Sequence, residues 1–217
     1  MSEGVFAARA ISLTVSDRIL IEALSFVVNP ANPTVIMGPS GAGKSALIAF
    51  IGGHLDPAFT ASGRVVVDGR DVTDLPPEKR NVGVLFQDGL LFPHLSVGAN
   101  LAFGLDPTLR GREARRARVE LALTEAGLRG FYARDPATLS GGQRARVALM
   151  RSLLAKPRAL LLDEPFGKLD QALRHDFRRF VFDSAARRAL PVLMATHDPA
   201  DAEAADGPVL QIGRRFE

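Results

Sequence analysis

Short apolar and β-branched runs separated by turn residues recur along the chain, and this pattern predicts strands. The first two runs are joined by Ser16–Asp17, which predicts a hairpin, and Pro76–Pro77 breaks the chain before a later buried run. The predicted strands are Ala10–Val15, Arg18–Val28, Thr34–Met37, Gly63–Asp68, Asn81–Gln87, Arg158–Asp163 and Pro191–His197.

Apolar residues at helical spacing predict helices between these strands. The last helix carries one apolar face, which predicts packing against a sheet. That face comprises Leu173, Phe177, Phe180, Val181 and Ser184. The predicted helices are Ala46–Ile51, Ser96–Gly104, Arg112–Ala126, Gly141–Ala155 and Asp170–Arg188.

The order of these elements predicts an α/β fold with two domains. Three helices follow one another without a strand, which predicts a helical subdomain, 89–156, of about 65 residues. The remaining segments, 1–88 and 157–217, form the expected core. Because helices separate its later strands, its main sheet is expected to be parallel, with antiparallel strands at the N-terminus.

Composition excludes several classes of protein. The 217 residues are 47% hydrophobic, which is enough for a full core, and no cysteine is present for disulfides or thiolate metal sites. No apolar run is long enough to span a membrane, and the N-terminus lacks a signal-peptide pattern.

Net charge is +3, and the arginines cluster in Arg110–Arg118. Such a cluster could contact nucleic acid or lipid headgroups, but a solvated helix face is favoured. No aromatic residues interleave it as a base-stacking surface requires. We therefore expect no nucleic-acid partner.

Gly38–Ser45 fits the phosphate-binding pattern G-x-x-x-x-G-K-[ST]. Glycines let backbone N–H groups surround phosphates, and the following helix directs its positive N-terminus at them. Lys44 can reach the outer phosphate oxygens, and the Ser45 hydroxyl can bind Mg²⁺. The nucleotide-binding residues are predicted to be Gly38, Pro39, Ser40, Gly41, Ala42, Gly43, Lys44, Ser45 and Ala46.

A second site element is the acidic pair Asp163–Glu164, at the end of the predicted strand 158–163. Ligands of α/β proteins bind at the carboxyl ends of parallel strands. Asp163 is expected to hold Mg²⁺, and Glu164 to polarise the water that attacks the γ-phosphate.

The motifs Gly38–Ser45, LSGGQ at Leu139–Gln143 and LLLDEP at Leu160–Pro165, in this order, resemble the ATP-binding subunits of ABC transporters. With Gln87 and His197 the resemblance covers nearly the whole chain. It implies a P-loop NTPase core of the RecA-like type with an inserted helical subdomain. The segment Phe86–Leu105 resembles importer ATPases in particular.

The resemblance also implies roles for individual residues. Gln87 would bind Mg²⁺ or the attacking water, and His197 would contact the γ-phosphate. Asp170 would link two active sites across a dimer. The signature residues Ser140, Gly141, Gly142 and Gln143 would clamp ATP on the opposite subunit. Apart from the resemblance, SGGQ is an ordinary helix N-cap.

The resemblance implies an ATPase that uses Mg-ATP and works as a homodimer. Its expected partners are transmembrane permease subunits and an extracytoplasmic solute-binding protein, and its place is the inner face of the cytoplasmic membrane. An ATPase of an exporter or a lipoprotein-release system is the alternative. A non-transport relative is disfavoured, because the chain has one motor unit, no cysteine and no heptad run.

One departure from the family gives a test. Most members stack an aromatic residue on adenine about 23 residues before the loop, whereas Leu13–Asp17 contains none, leaving Val15 or Ile19 to pack on the base. Because stacking contributes about 1–3 kcal/mol, we expect GTP to compete with ATP within about tenfold. Competition in an ATPase assay measures this, and a much larger preference for ATP would refute it.

Overall fold

The computed structural model describes residues 6–30 and 32–213, and it divides the chain into two compact units. The first unit comprises 1–84, 158–164 and 182–217, and the second comprises 85–157 and 165–181. Unlike the sequence-based division, which placed 165–181 in the core, the observed grouping assigns this segment to the helical unit. No helix of the described residues is long and apolar enough to cross a membrane.

The N-terminal strands of the first unit form an antiparallel sheet with the order β2-β1-β4-β5. Ser16 and Asp17 both have positive φ, at 45° and 63°, as a tight two-residue hairpin turn requires. The strands are β1 (Phe6–Val15), β2 (Arg18–Val28), β4 (Phe59–Val67) and β5 (Arg70–Asp71).

The second sheet of the first unit has the order β6-β7-β8-β3-β9. β3 pairs in parallel with β8 and β9, and β7 pairs in parallel with β8. Continuous apolar runs such as LLL at 160–162 suit these buried strands. The strands are β3 (Thr34–Met37), β6 (Val82–Phe86), β7 (Ala159–Asp163), β8 (Val192–Thr196) and β9 (Val209–Gln211).

One hydrophobic cluster joins both sheets of the first unit to helix α1 (Lys44–Gly52). Burial of each large aliphatic side chain contributes about 1.5–3 kcal/mol, so this cluster holds α1 against the strands of the unit. Its fully buried members include Phe6, Ile11, Leu13, Leu47, Ile48, Ile51, Leu161 and Leu193. α6 (Pro199–Ala205) is a further helix of this unit.

The second unit consists mainly of helices α2 (Val97–Phe103), α3 (Arg112–Glu125) and α4 (Gly141–Leu154). The buried Asn100 amide donates to the carbonyl oxygens of Phe92, Leu95 and Ser96, and its Oδ1 accepts from the N–H of Phe92. These bonds join helix α2 to the loop before it. They also satisfy the polar atoms of the buried Asn100 side chain. Helix α5 (Gln171–Ala186) contributes residues to both units.

Three elements were not predicted, and one side chain lies elsewhere than predicted. The elements are β5, α6 and β9, since β5 and β9 span only two and three residues and α6 is short with few large apolar residues. Leu173 was predicted on the buried face of the last helix, but it is 38% exposed. Its methyl groups lie against Gly142 at the start of α4 instead.

Candidate functional site

The loop between β3 and α1 has the backbone geometry of an anion site. Gly41 and Gly43 adopt left-handed conformations, with φ of 77° and 95°. Within the described residues, the N–H groups of residues 43–46 donate to no acceptor. Successive unpaired N–H groups at a helix N-terminus are strong donors for a phosphate.

The Lys44 side chain is buried inside this loop, with 5% exposure. Its ammonium donates to the carbonyl oxygens of Gly38 at 2.9 Å and Pro39 at 3.1 Å. It also lies 3.6 Å from Glu164 Oε1. The loop therefore combines a buried positive charge with unpaired N–H donors, and both favour an anion.

The segment after β9 supports the loop. A Cβ atom on Gly38 would come within 2.5 Å of the Ile212 carbonyl oxygen, and one on Gly213 within 2.6 Å of the Ala42 Cβ. The Ile212 N–H donates to the Met37 carbonyl oxygen at 2.8 Å. Sequence reasoning missed Ile212 and Gly213, because no local pattern indicates that the chain end packs on the loop.

Ser45 and Asp163 form a hydroxyl–carboxylate pair, in which Ser45 Oγ donates to Asp163 Oδ1 at 2.9 Å. Burial raises the pKa of Asp163 above its ordinary value, with the Glu164 charge adding to the rise and the Ser45 hydrogen bond opposing it. The pair thus places two oxygen atoms that could bind a metal ion side by side in a partly buried position.

Glu164 lies just beyond β7 in a left-handed conformation, with φ of 45°. Its N–H donates to the Ala195 carbonyl oxygen at 2.9 Å, which holds this unusual backbone in place. Its carboxylate lies 3.1 Å from His197 Nδ1 and 3.6 Å from the Lys44 ammonium. A carboxylate so placed can accept a proton from water beside a bound phosphate.

The signature residues start helix α4. Ser140 Oγ accepts from the Gln143 N–H at 3.3 Å, and Gln143 Oε1 accepts from the Ser140 N–H at 3.0 Å, which is a complete capping box. The Ser140 hydroxyl keeps its proton for donation, and the N–H groups of Gly141 and Gly142 belong to the first helical turn. Helix capping and anion binding are therefore compatible in this segment.

The two other predicted residues lie in the second unit. Asp170 Oδ1 accepts from the Leu173 N–H at 3.0 Å, so this carboxylate caps α5. Gln87 follows β6 and is exposed. The structure brings together five predicted residues of the first unit: Lys44, Ser45, Asp163, Glu164 and His197. The second unit holds Gln87, Ser140–Gln143 and Asp170.

Comparison with known proteins identifies the family. The family described as ABC transporter matches residues 21–167. An uncharacterised ABC transporter ATP-binding protein, YnjD of Escherichia coli, is 46% identical over 98% of this chain and 97% of its own length. The chain belongs to the ABC transporter family.

Two further matches agree with this assignment. The thiamine import ATP-binding protein ThiQ of Cereibacter sphaeroides is 45% identical over 86% of this chain and 82% of its own. A dimeric, post-hydrolysis structure of the ATP-binding cassette MJ0796 with ADP and Pi superposes with a TM-score of 0.79. It is 26% identical and covers 95% of this chain and 94% of its own. The predicted family, α/β P-loop fold class and ATPase class are confirmed.

The residues of this ABC ATPase fit a magnesium ion that is mostly bound by substrate and water. No group of three or more acidic or histidine side chains that could hold a metal occurs in the described part of the chain. Mg²⁺ commonly takes one or two protein oxygens, and phosphate and water oxygens complete its octahedron. The Ser45 hydroxyl and Asp163 carboxylate supply that number of oxygens.

The segment Leu13–Asp17 lacks the aromatic residue that stacks on adenine in most family members, but strand pairing places an aromatic residue beside it. Val15 pairs directly with Phe59 of β4, and directly opposed residues of an antiparallel pair share a face. Ile19, the other residue proposed from sequence, is 62% exposed. Sequence reasoning missed Phe59 because strand pairing, rather than any local motif, brings it beside Val15.

We expect Asp163→Asn to stabilise the ligand-free protein while it abolishes ATPase activity. Because its pKa is raised in the folded protein, protonated Asp163 contributes its full stability below the ordinary value of 3.8, and this contribution is lost as pH rises through the raised pKa. The variant's melting temperature should therefore exceed that of wild type near pH 7 and match it near about pH 3.

Calorimetric scans at both pH values measure this difference. The exposed carboxylate Glu22 provides the control, since Glu22→Gln should change neither stability nor activity. A lower melting temperature for Asp163→Asn at neutral pH would show that the Ser45 hydrogen bond outweighs the cost of burial.

Proposed function

We propose that this protein is the Mg-ATP-hydrolysing motor subunit of an ABC importer. The arrangement of Lys44, Glu164 and His197 around the phosphate loop carries the proposal, because it unites a cation, a base and a hydrogen-bonding imidazole. Import is favoured because curated relatives with high identity over most of the chain include a thiamine import ATP-binding protein.

In this mechanism the N–H groups of residues 43–46 and the Lys44 ammonium bind the β- and γ-phosphates. Glu164 accepts a proton from the attacking water, and His197, 3.1 Å from it, orients the water and contacts the γ-phosphate. Mg²⁺ would be held by Ser45, Asp163 and Gln87, and when bound it neutralises charge on the phosphates.

The rest of the proposed nucleotide-binding loop consists of residues that need only contribute backbone or close packing: Pro39, Ser40, Gly41, Ala42 and Ala46.

A complete site requires two subunits. In the proposed dimer, Ser140 Oγ and the N–H groups of Gly141 and Gly142 bind the γ-phosphate of ATP held by the other subunit. Gln143 holds the Ser140 backbone through the capping box, which fixes these donors. Asp170, at the start of α5, would connect the two sites. A homodimer is the simpler assembly, because one chain carries both halves of each site.

The motor requires a membrane partner. We propose that transmembrane permease subunits bind segment 86–105, that an extracytoplasmic solute-binding protein delivers the solute, and that the ATPase works at the inner face of the cytoplasmic membrane. The solute would never contact this chain, since all proposed site residues bind nucleotide, metal or the second subunit.

We expect Glu164→Gln to trap an ATP-bound dimer. The amide cannot accept the proton from water, so hydrolysis should stop while the phosphate loop still binds ATP. Size-exclusion chromatography with light scattering, with and without Mg-ATP, measures the change in mass. Lys44→Ala combined with Glu164→Gln is the matched control and should remain monomeric. Persistent Glu164→Gln monomers at saturating Mg-ATP would contradict the sandwich dimer.

Purification of the tagged chain from gently solubilised native membranes tests the transport role. We expect a multi-spanning permease to co-purify, and its companion binding protein can then be screened for solute. Recovery of exporter subunits would reassign the direction of transport. Recovery of ribosomes or DNA-repair proteins would contradict the transport role but not the ATPase activity.

A further inference from the structure

A cavity of about 610 Å³ in the second unit lies beside the first turn of α3. Its polar lining residues are four arginines and one tyrosine. The lining residues are Arg110, Arg112, Arg115, Arg116, Tyr132, Ala102, Leu109 and Gly111. Four of the five arginines in the Arg110–Arg118 cluster thus converge on one concave place, which a uniformly solvated helix face does not require.

The positive charge in this cavity is largely uncompensated. Among the described residues that line it, none is acidic. Glu120 lies 3.9 Å from Arg116 Nε, which is an exposed and weak pair. The Asp106 carboxylate bonds to Thr108 and pairs with Lys156, so it does not neutralise the cavity arginines. These contacts, with those of Thr108 the larger cause, lower the pKa of Asp106 to about 2.

The cavity walls are held in place by internal bonds. Arg115 donates to the carbonyl oxygens of Leu109 at 3.2 Å and Ala102 at 2.9 Å, and the Arg116 guanidinium lies 4.7 Å from the centre of the Tyr132 ring. Within the described residues, the side chains of Arg110 and Arg112 form no hydrogen bond or ion pair, and both are exposed. Two arginines therefore build the cavity, and two remain available to a ligand.

The distribution of charge between the units points the same way. The second unit carries 15 of the 27 Lys and Arg residues but only 8 of the 24 Asp and Glu residues. Its formal charge is therefore +7, whereas the first unit has −4. Such a positive unit raises the local concentration of anions.

We propose that this cavity binds a phosphate group, carried either by a small soluble anion or by an anionic lipid headgroup. Arg110 and Arg112 would form paired hydrogen bonds to its oxygens, for which the planar guanidinium is well suited. The Tyr132 hydroxyl would add a further donor. None of these residues belongs to the nucleotide site proposed above, so the cavity is a second anion site.

Tyrosine fluorescence provides a direct test, because Tyr132 is the only tyrosine and the chain contains no tryptophan. The full chain is titrated with inorganic pyrophosphate, which does not absorb where tyrosine is excited. In parallel, the chain is sedimented with phosphatidylcholine vesicles that contain or lack phosphatidylglycerol. A saturable emission change assigns the cavity to soluble phosphates, and retention by phosphatidylglycerol vesicles alone assigns it to headgroups.

Variants locate the response. Arg110→Gln combined with Arg112→Gln should weaken the observed binding at least about tenfold, because two charge-assisted hydrogen bonds are lost. Arg118→Gln, on the same helix but outside the cavity lining, is the matched control and should bind like wild type. Lys44→Ala should also retain the response, which separates this cavity from the phosphate loop.

The proposal would be overturned if neither probe bound to the protein. It would also be overturned if the Arg110→Gln/Arg112→Gln variant bound as tightly as wild type, or if the response disappeared in Lys44→Ala and persisted in the arginine variant. Unchanged circular dichroism and melting temperature of each variant exclude misfolding as the cause of lost binding.

Discussion

The register of three parallel strands determines whether this ATPase has a nucleotide site. Met37 of β3 pairs with Thr196 of β8, and Asp163 of β7 pairs with Ala195 of β8, so the three strands end at one sheet edge. The residues just beyond those ends are the phosphate loop, Glu164 and His197. A shift of one residue in either pairing would reverse side-chain directions and separate these groups.

Several groups of the site lower the free energy of unfolding of the ligand-free protein. Lys44 is a buried cation, burial raises the pKa of Asp163, and Glu164 holds a left-handed backbone. Each cost is tolerated because the surrounding sheet and hydrophobic cluster hold the groups in place. The costs at Lys44 and Asp163 would be offset by Mg-ATP, which supplies phosphate for the lysine and a cation for the carboxylate. Binding energy would thereby be available for closure of the proposed dimer.

Local patterns made much of the fold and of the site predictable. The phosphate loop, the acidic pair at the end of β7 and the strands around them each have a local signature, and family, fold class and ATPase class are confirmed. The contacts of Ile212 with Gly38 and of Phe59 with Val15 have none, because they join segments far apart in sequence. The arginine cavity was missed for the same reason, since Tyr132 closes it from outside the cluster. The roles assigned to all the site residues, Gln87, Ser140 and Asp170 among them, remain predictions.

The central claim is that each active site combines the phosphate loop of one subunit with the signature segment of another. Mixing Lys44→Ala and Ser140→Arg chains, each inactive alone, tests it most directly. A mixed dimer retains one intact site, so ATPase activity should recover to about a quarter of wild type, because half of the dimers are mixed. Activity that stays at the level of the separate variants would contradict the composite site.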